Sequence, residues 1–99
     1  MIDIERYSFK GPYTYTDQLE DRSGVYVILD KRRDGEYYVI DVGESARVKT
    51  RVESHDRERC WTINQQGSLA VAVLYTQSLK RRLIEQEIRA QYTPVCGIR

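Results

Sequence analysis

The sequence predicts a small α/β domain of the mixed α+β kind, a three-stranded antiparallel sheet flanked by helices. Three observations carry that prediction. Two apolar runs between Gly24 and Val42 flank the turn signal Asp34-Gly35. The run "SLAVAVLYT", Ser68 to Thr76, is apolar on both alternating faces, as a strand covered on two sides must be. Apolar residues also recur at helical spacing, at Val48 and Val52 and again at Leu79, Leu83, Ile84 and Ile88.

The elements follow in order. Residues 1–23 contain Gly11, Pro12, several tyrosines and the acidic stretch Asp17 to Asp21, and read as an irregular leader with a short helical turn near Asp17–Leu19. The domain proper is expected over residues 24–99. Its first strand covers about Gly24 to Asp30 and its second about Glu36 to Val42. A loop of Arg32 to Gly35 sets Tyr26 directly across from Asp41, and a loop of Asp34-Gly35 alone makes them diagonal neighbours. Either register leaves both on one face, because side chains alternate with period two. Ser45 is the candidate N-cap of the first helix. Residues 56–66 suggest a second short helix anchored by Cys60, Trp61 and Ile63, ended by Gly67. The Ser68–Thr76 run is the expected central strand. Ser78 then caps a final helix to about Tyr92, which Thr93-Pro94 terminates. The order is β-β-α-(α)-β-α.

At 99 residues the chain is one domain with a single modest core. Hydrophobic residues make up 40% and charged residues 31%, a globular rather than a disordered composition. No apolar run approaches the roughly 18 residues of a membrane span. The acidic N-terminus, with Asp3 and Glu5, is unlike a secretory signal, so the expected location is cytoplasmic. Cys60 and Cys96 are then expected as free thiols. With one histidine and two cysteines the chain lacks a structural zinc set. Net charge is +1, so nucleic-acid binding would depend on local clusters, of which Arg47-Lys49-Arg51 and Lys80-Arg81-Arg82 are two.

Tyr26, Asp41, Arg51 and His55, with an acid from the last helix, could converge at one end of the sheet. Arg47, Arg51 and His55 share a helical ridge, being four residues apart. At about 100° per residue Glu87 projects inside the apolar stripe of the last helix and Glu85 at its flank, so projection slightly favours Glu87. Each residue also has a plain structural reading: a packed tyrosine, a solvated arginine, a capping histidine, an ion-paired glutamate.

Residues Gly24 to Gly97 resemble a GIY-YIG nuclease domain. Gly24-Val25-Tyr26 resembles the first signature triplet and Asp41-Val42-Gly43 stands at the second. Arg51 and His55 lie eight and twelve residues after Gly43, where the family commonly carries an arginine and a histidine. "IEQEIRAQYTPVCG" resembles the closing helix, and Glu85 keeps the nine-residue interval to Pro94 that Glu87 does not. The resemblance implies metal-dependent hydrolysis of DNA phosphodiester bonds. Tyr26 would help deprotonate water, Arg51 would neutralise phosphoryl charge, and His55 would orient substrate or assist proton transfer. Glu85 would hold a divalent metal, Mg²⁺ or Mn²⁺. Arg47, Lys49, Lys80 and Arg81 would contact duplex or branched DNA, with a homodimer or protein partner supplying specificity and no membrane involved. The sequence departs from the family at Asp41, where the second triplet has tyrosine, and at Gly97, where an asparagine often follows the closing proline. Asp41 could be a second metal ligand, the mark of a domain that has lost cleavage and only binds nucleic acid or protein, or a structural salt bridge to an arginine.

Overall fold

A computed structural model describes residues 1–97; the last two residues of the expected domain lie outside the described part. The sheet has five strands, all antiparallel to their neighbours, in the order β1-β2-β5-β3-β4. They are β1 (Ile2–Ile4), β2 (Tyr7–Tyr13), β3 (Gly24–Lys31), β4 (Tyr37–Ser45) and β5 (Ser68–Tyr75). The helices are α1 (Val48–Glu53), α2 (Glu58–Asn64) and α3 (Ser78–Tyr92). From residue 24 on, elements therefore follow one another as expected, and β5 is the middle strand.

The expectation of three strands and an irregular leader is corrected. Ile2 and Ile4 alternate with Asp3, and Tyr7 and Phe9 with Ser8, so each segment offers one apolar face. They pair with Ile4 opposite Tyr7, and β2 then pairs with β5 at Lys10↔Val73 and Tyr13↔Val71. Ile4 and Phe9 are buried beneath α3 with Ile84 and Ile88. The short helical turn does form, at Thr16–Gln18.

The sheet separates two apolar layers. Tyr26, Ile28, Ile40, Val71 and Val73 pack against Val48 and Val52 of α1 and Trp61 of α2. Val25, Val27, Leu29, Val42 and Ala72 pack against Ile84 and Ile88 of α3. Leu79 and Leu83, expected in the buried stripe, are 78% and 67% exposed, because α3 turns Ile84, Glu85 and Ile88 to the sheet instead. Ile63 is likewise exposed rather than an anchor. Ser45 ends β4 and accepts the Arg47 N–H at 3.0 Å, but the N-cap position of α1 is Arg47, two residues further on. Ser78, expected as the cap of α3, is instead its first helical residue, and Gln77 holds the N-cap position without a side-chain cap bond.

Cys60 and Cys96 form a disulfide, which corrects the expectation of free thiols. It ties α2 to the segment after α3, and the Cys96 N–H donates to the Ile40 carbonyl at 3.1 Å. The chain therefore closes back onto β4 beside the candidate site.

Candidate functional site

The hairpin loop sets the register that builds the site. Arg32 and Glu36 close a three-residue loop in which Gly35 has φ +82°, the left-handed position such loops require. A bulge then falls between Ile28↔Asp41 and Leu29↔Val39, leaving Ile40 without an opposite residue. Ile40 joins the α1/α2 layer, and Asp41, opposite Ile28, is on the same face. Tyr26 pairs with Gly43, so Tyr26 and Asp41 are diagonal neighbours, the second of the two expected registers. Gly43 is there for contact: a Cβ at that position would lie 2.2 Å from the Tyr26 Cζ and Oη atoms.

Tyr26 is 1% exposed, and its Oη lies 2.5 Å from Nε2 of the buried His55. The Arg57 backbone N–H donates to His55 Nδ1 at 3.0 Å. A neutral imidazole with Nδ1 accepting carries its proton on Nε2, which assigns Nε2–H as donor to the Tyr26 oxygen. Burial, reinforced by the cationic Arg51 and Arg57, pushes the His55 pKa down to about 4, so the ring is neutral at pH 7. Burial pushes the Tyr26 phenol up to about 12, against the opposing pull of Arg51 and Arg57. Arg51 forms an ion pair with Asp56 at 2.7 Å near the surface, their side chains 38% and 69% exposed.

Asp41 is fully buried and ionised. Arg57 Nε donates to Oδ2 at 2.7 Å and Arg57 Nη2 to Oδ1 at 3.3 Å. Trp61 Nε1–H donates to Oδ2 at 2.7 Å, and Arg89 Nη2 donates to Oδ1 at 2.8 Å. Burial alone would raise this carboxyl, but the bonds from Arg57, Trp61 and Arg89 outweigh it and hold the pKa below the ordinary carboxylate value. Of the three readings the sequence leaves open for Asp41, these contacts match the structural salt bridge.

Arg89 also donates through Nε to Glu85 Oε2 at 3.0 Å, and to the carbonyls of Val42, Cys96 and Gly97. Glu85 is buried on α3, whereas Glu87 reaches outward to Arg6 at 3.0 Å. The interval to Pro94 thus selects the buried acid and the projection does not. A continuous run of contacts links Tyr26, His55, Arg57, Asp41, Arg89 and Glu85 across β3, the α1–α2 turn, β4 and α3.

Three of the expected catalytic residues, Tyr26, Arg51 and His55, are in one electrostatic cluster, and Glu85 joins it through Arg89. Of the expected nucleic-acid contacts, Arg47 pairs with Asp21 at 2.9 Å, and Arg81, largely buried, with Glu44 at 2.6 Å. Lys49 is half-buried and Lys80 exposed. Three surface cavities, of about 390, 450 and 580 Å³, are lined by other residues; Tyr26, Arg51, His55 and Glu85 are in none of these three.

Sequence reasoning missed Arg57, Trp61 and Arg89 as members of the site. A buried carboxylate needs charged or N–H donors, so Asp41 itself signalled that such partners exist. Periodicity could not choose among the arginines.

No helix among the described residues is long and apolar enough to cross a membrane. The sequence matches no protein-family model and no curated protein.

Proposed function

We propose that the chain is a metal-dependent endonuclease hydrolysing phosphodiester bonds of duplex or branched DNA, with Tyr26, Arg51, His55 and Glu85 at the site. The observation that carries this reading is the Tyr26 oxygen held 2.5 Å from a neutral histidine with an arginine alongside. To act as the base, Tyr26 first gives up its own proton to solvent and its phenolate then takes one from water; burial opposes the first step, and nearby donors and cations that stabilise the phenolate favour it. The Nε2–H of His55 and the guanidinium of Arg51 are such groups. Arg51 also carries a carboxylate, that of Asp56, in the manner it would carry a phosphate. A phosphodiester exchanging with Asp56 would bring Arg51 onto the phosphoryl oxygens, where it neutralises the growing charge.

Among the described residues no group of three or more metal-ligating side chains forms. Mg²⁺ is commonly held by one or two carboxylates together with water and phosphate oxygens, and Glu85 would serve in such a set by exchanging its bond from Arg89 for the ion. Asp41 does not, because Arg57, Trp61, Arg89 and the Val42 N–H already engage its oxygens. A bound divalent ion would stabilise the leaving oxygen.

The burial of Tyr26 favours a second reading, a module that binds nucleic acid or protein without cutting it. Nicking of plasmid and branched DNA with Mg²⁺ or Mn²⁺ separates the two. Cleavage is expected, with Arg51→Ala and Glu85→Ala each lowering it by roughly a hundredfold or more. Cleavage that survives both substitutions, or metal-dependent cleavage absent from the parent chain, removes the nuclease reading.

A further inference from the structure

Asp41 stands where the resembled family has an aromatic phenol, yet none of its contacts is with Tyr26 or His55 directly. Its partners are the two residues that flank the histidine. Arg57 supplies the backbone N–H that reaches His55 Nδ1 at 3.0 Å, and its side chain ends on Asp41. The Trp61 ring lies against the imidazole, centroids 4.6 Å apart and planes at 43°, and its N–H also ends on Asp41. The third partner, Arg89, ties the carboxylate to α3 and to the disulfide-linked tail.

We infer that Asp41 is a positioning residue, which holds Arg57 and Trp61 on two sides of the His55 ring and through them fixes the Nε2–H tautomer toward the Tyr26 oxygen. One carboxylate does this because its two oxygens take donors from β4, α3 and both ends of the α2 turn at once. A tyrosine at the same place offers a single oxygen and could not hold two guanidinium groups. The other charged or titratable groups facing His55 are Tyr26 from β3, Arg51 from α1 and Asp56 from the α1–α2 turn. Asp56 Oδ1 is 3.3 Å from Nδ1 and, being an acceptor, competes for the opposite tautomer. The Arg57 N–H must stay in place for Nε2–H to prevail. The catalytic consequence rests on the nuclease reading; the tautomer does not.

The chain contains one histidine and one tryptophan, so both rings give unambiguous signals in a ¹⁵N-labelled sample of the full chain. Long-range imidazole correlations between pH 6 and 8 read the tautomer without DNA or metal. In the parent chain Nε2 should be protonated and Nδ1 not, and Asp41→Asn should bring the second tautomer to a comparable population. Because Asp41→Asn leaves buried guanidinium groups underpaired and could unfold the chain, Trp61→Phe is the companion. It keeps an aromatic ring beside the imidazole and both arginines on Asp41, removes the indole N–H together with part of the ring volume, and should give a smaller admixture of the second tautomer. Should the parent chain carry the Nδ1–H form, or every folded variant keep the parent tautomer, the inference is wrong. If the chain cleaves DNA, Asp41→Asn should lower kcat by roughly tenfold to a hundredfold with DNA affinity unchanged. Loss of affinity at constant kcat would overturn positioning in favour of a binding role.

Discussion

His55 makes the stability of the protein depend on pH in a defined direction. Its pKa is about 4 in the folded chain against an ordinary 6.5, so between these values the unfolded chain binds a proton that the folded chain does not. Stability is fully present above pH 6.5 and falls as pH drops toward 4. Between pH 7 and 5 the loss is roughly 2 kcal/mol. The carboxyl groups of Asp21, Asp30, Asp34, Asp41 and Asp56 are all held low, so their own losses come below the ordinary carboxylate value and leave that window to the histidine. Urea midpoints at pH 5, 6 and 7 should therefore fall with pH in the parent chain and level out in His55→Gln; a flat parent profile would mean the ring is solvated. Gly43 is the second sensitive residue. A methyl group there meets the Tyr26 hydroxyl at 2.2 Å, and overpacking of this kind costs roughly 1–3 kcal/mol. Gly43→Ala should lower the urea midpoint accordingly and shift the His55 ring signals, since the phenol has to move off the imidazole.

At the scale of elements, β3, β4, β5, α1 and α3 were legible because apolar residues recur at their period, whereas residues 56–66 stayed ambiguous because only Trp61 of α2 is buried. The hairpin β1–β2 was written in the same alternation, Ile2, Ile4, Tyr7 and Phe9, but in two short pieces. The turn between them uses Glu5, at φ 56°, where glycine or asparagine would have announced it. Gly11-Pro12 further on reads as a break, and β2 indeed shifts register between Lys10 and Tyr13. Leu79 and Leu83 misled in the opposite sense, because helical spacing identifies an apolar stripe without saying how much of it the sheet covers. The disulfide depended on the tail returning to α2, which no local pattern encodes. Its placement predicts an effect on the site: bridging residues 36 apart, it should contribute about 2–4 kcal/mol. Reduction, or Cys96→Ser, should lower the thermal midpoint by that equivalent and broaden the Trp61 indole signal. An unchanged indole signal would show that Asp41 and Arg89 hold α2 without the bridge.

The whole molecule carries almost no net charge, and three of its arginines in or beside the basic clusters are ion-paired: Arg47 with Asp21, Arg51 with Asp56, Arg81 with Glu44. DNA binding through these three arginines therefore has to exchange carboxylates for phosphates rather than simply add phosphates to free cations. Two consequences follow from the burial of each pair. Arg81 is the least exposed of the three arginines, so Arg81→Ala should lower stability more than it lowers DNA affinity. Asp56 is the most exposed of the three carboxylate partners, and its removal unblocks Arg51 at the edge of the Tyr26–His55 pair. Exposed ion pairs are weak, so Asp56→Ala should tighten DNA binding by no more than roughly fivefold at low salt. Because the variant leaves no displaced carboxylate to take up a cation, the dependence of log K on log salt should steepen by about one unit. Fluorescence anisotropy over a salt series measures both quantities. If Asp56→Ala alters neither, DNA does not approach Arg51, and a substrate phosphate would have to reach Tyr26 by another route.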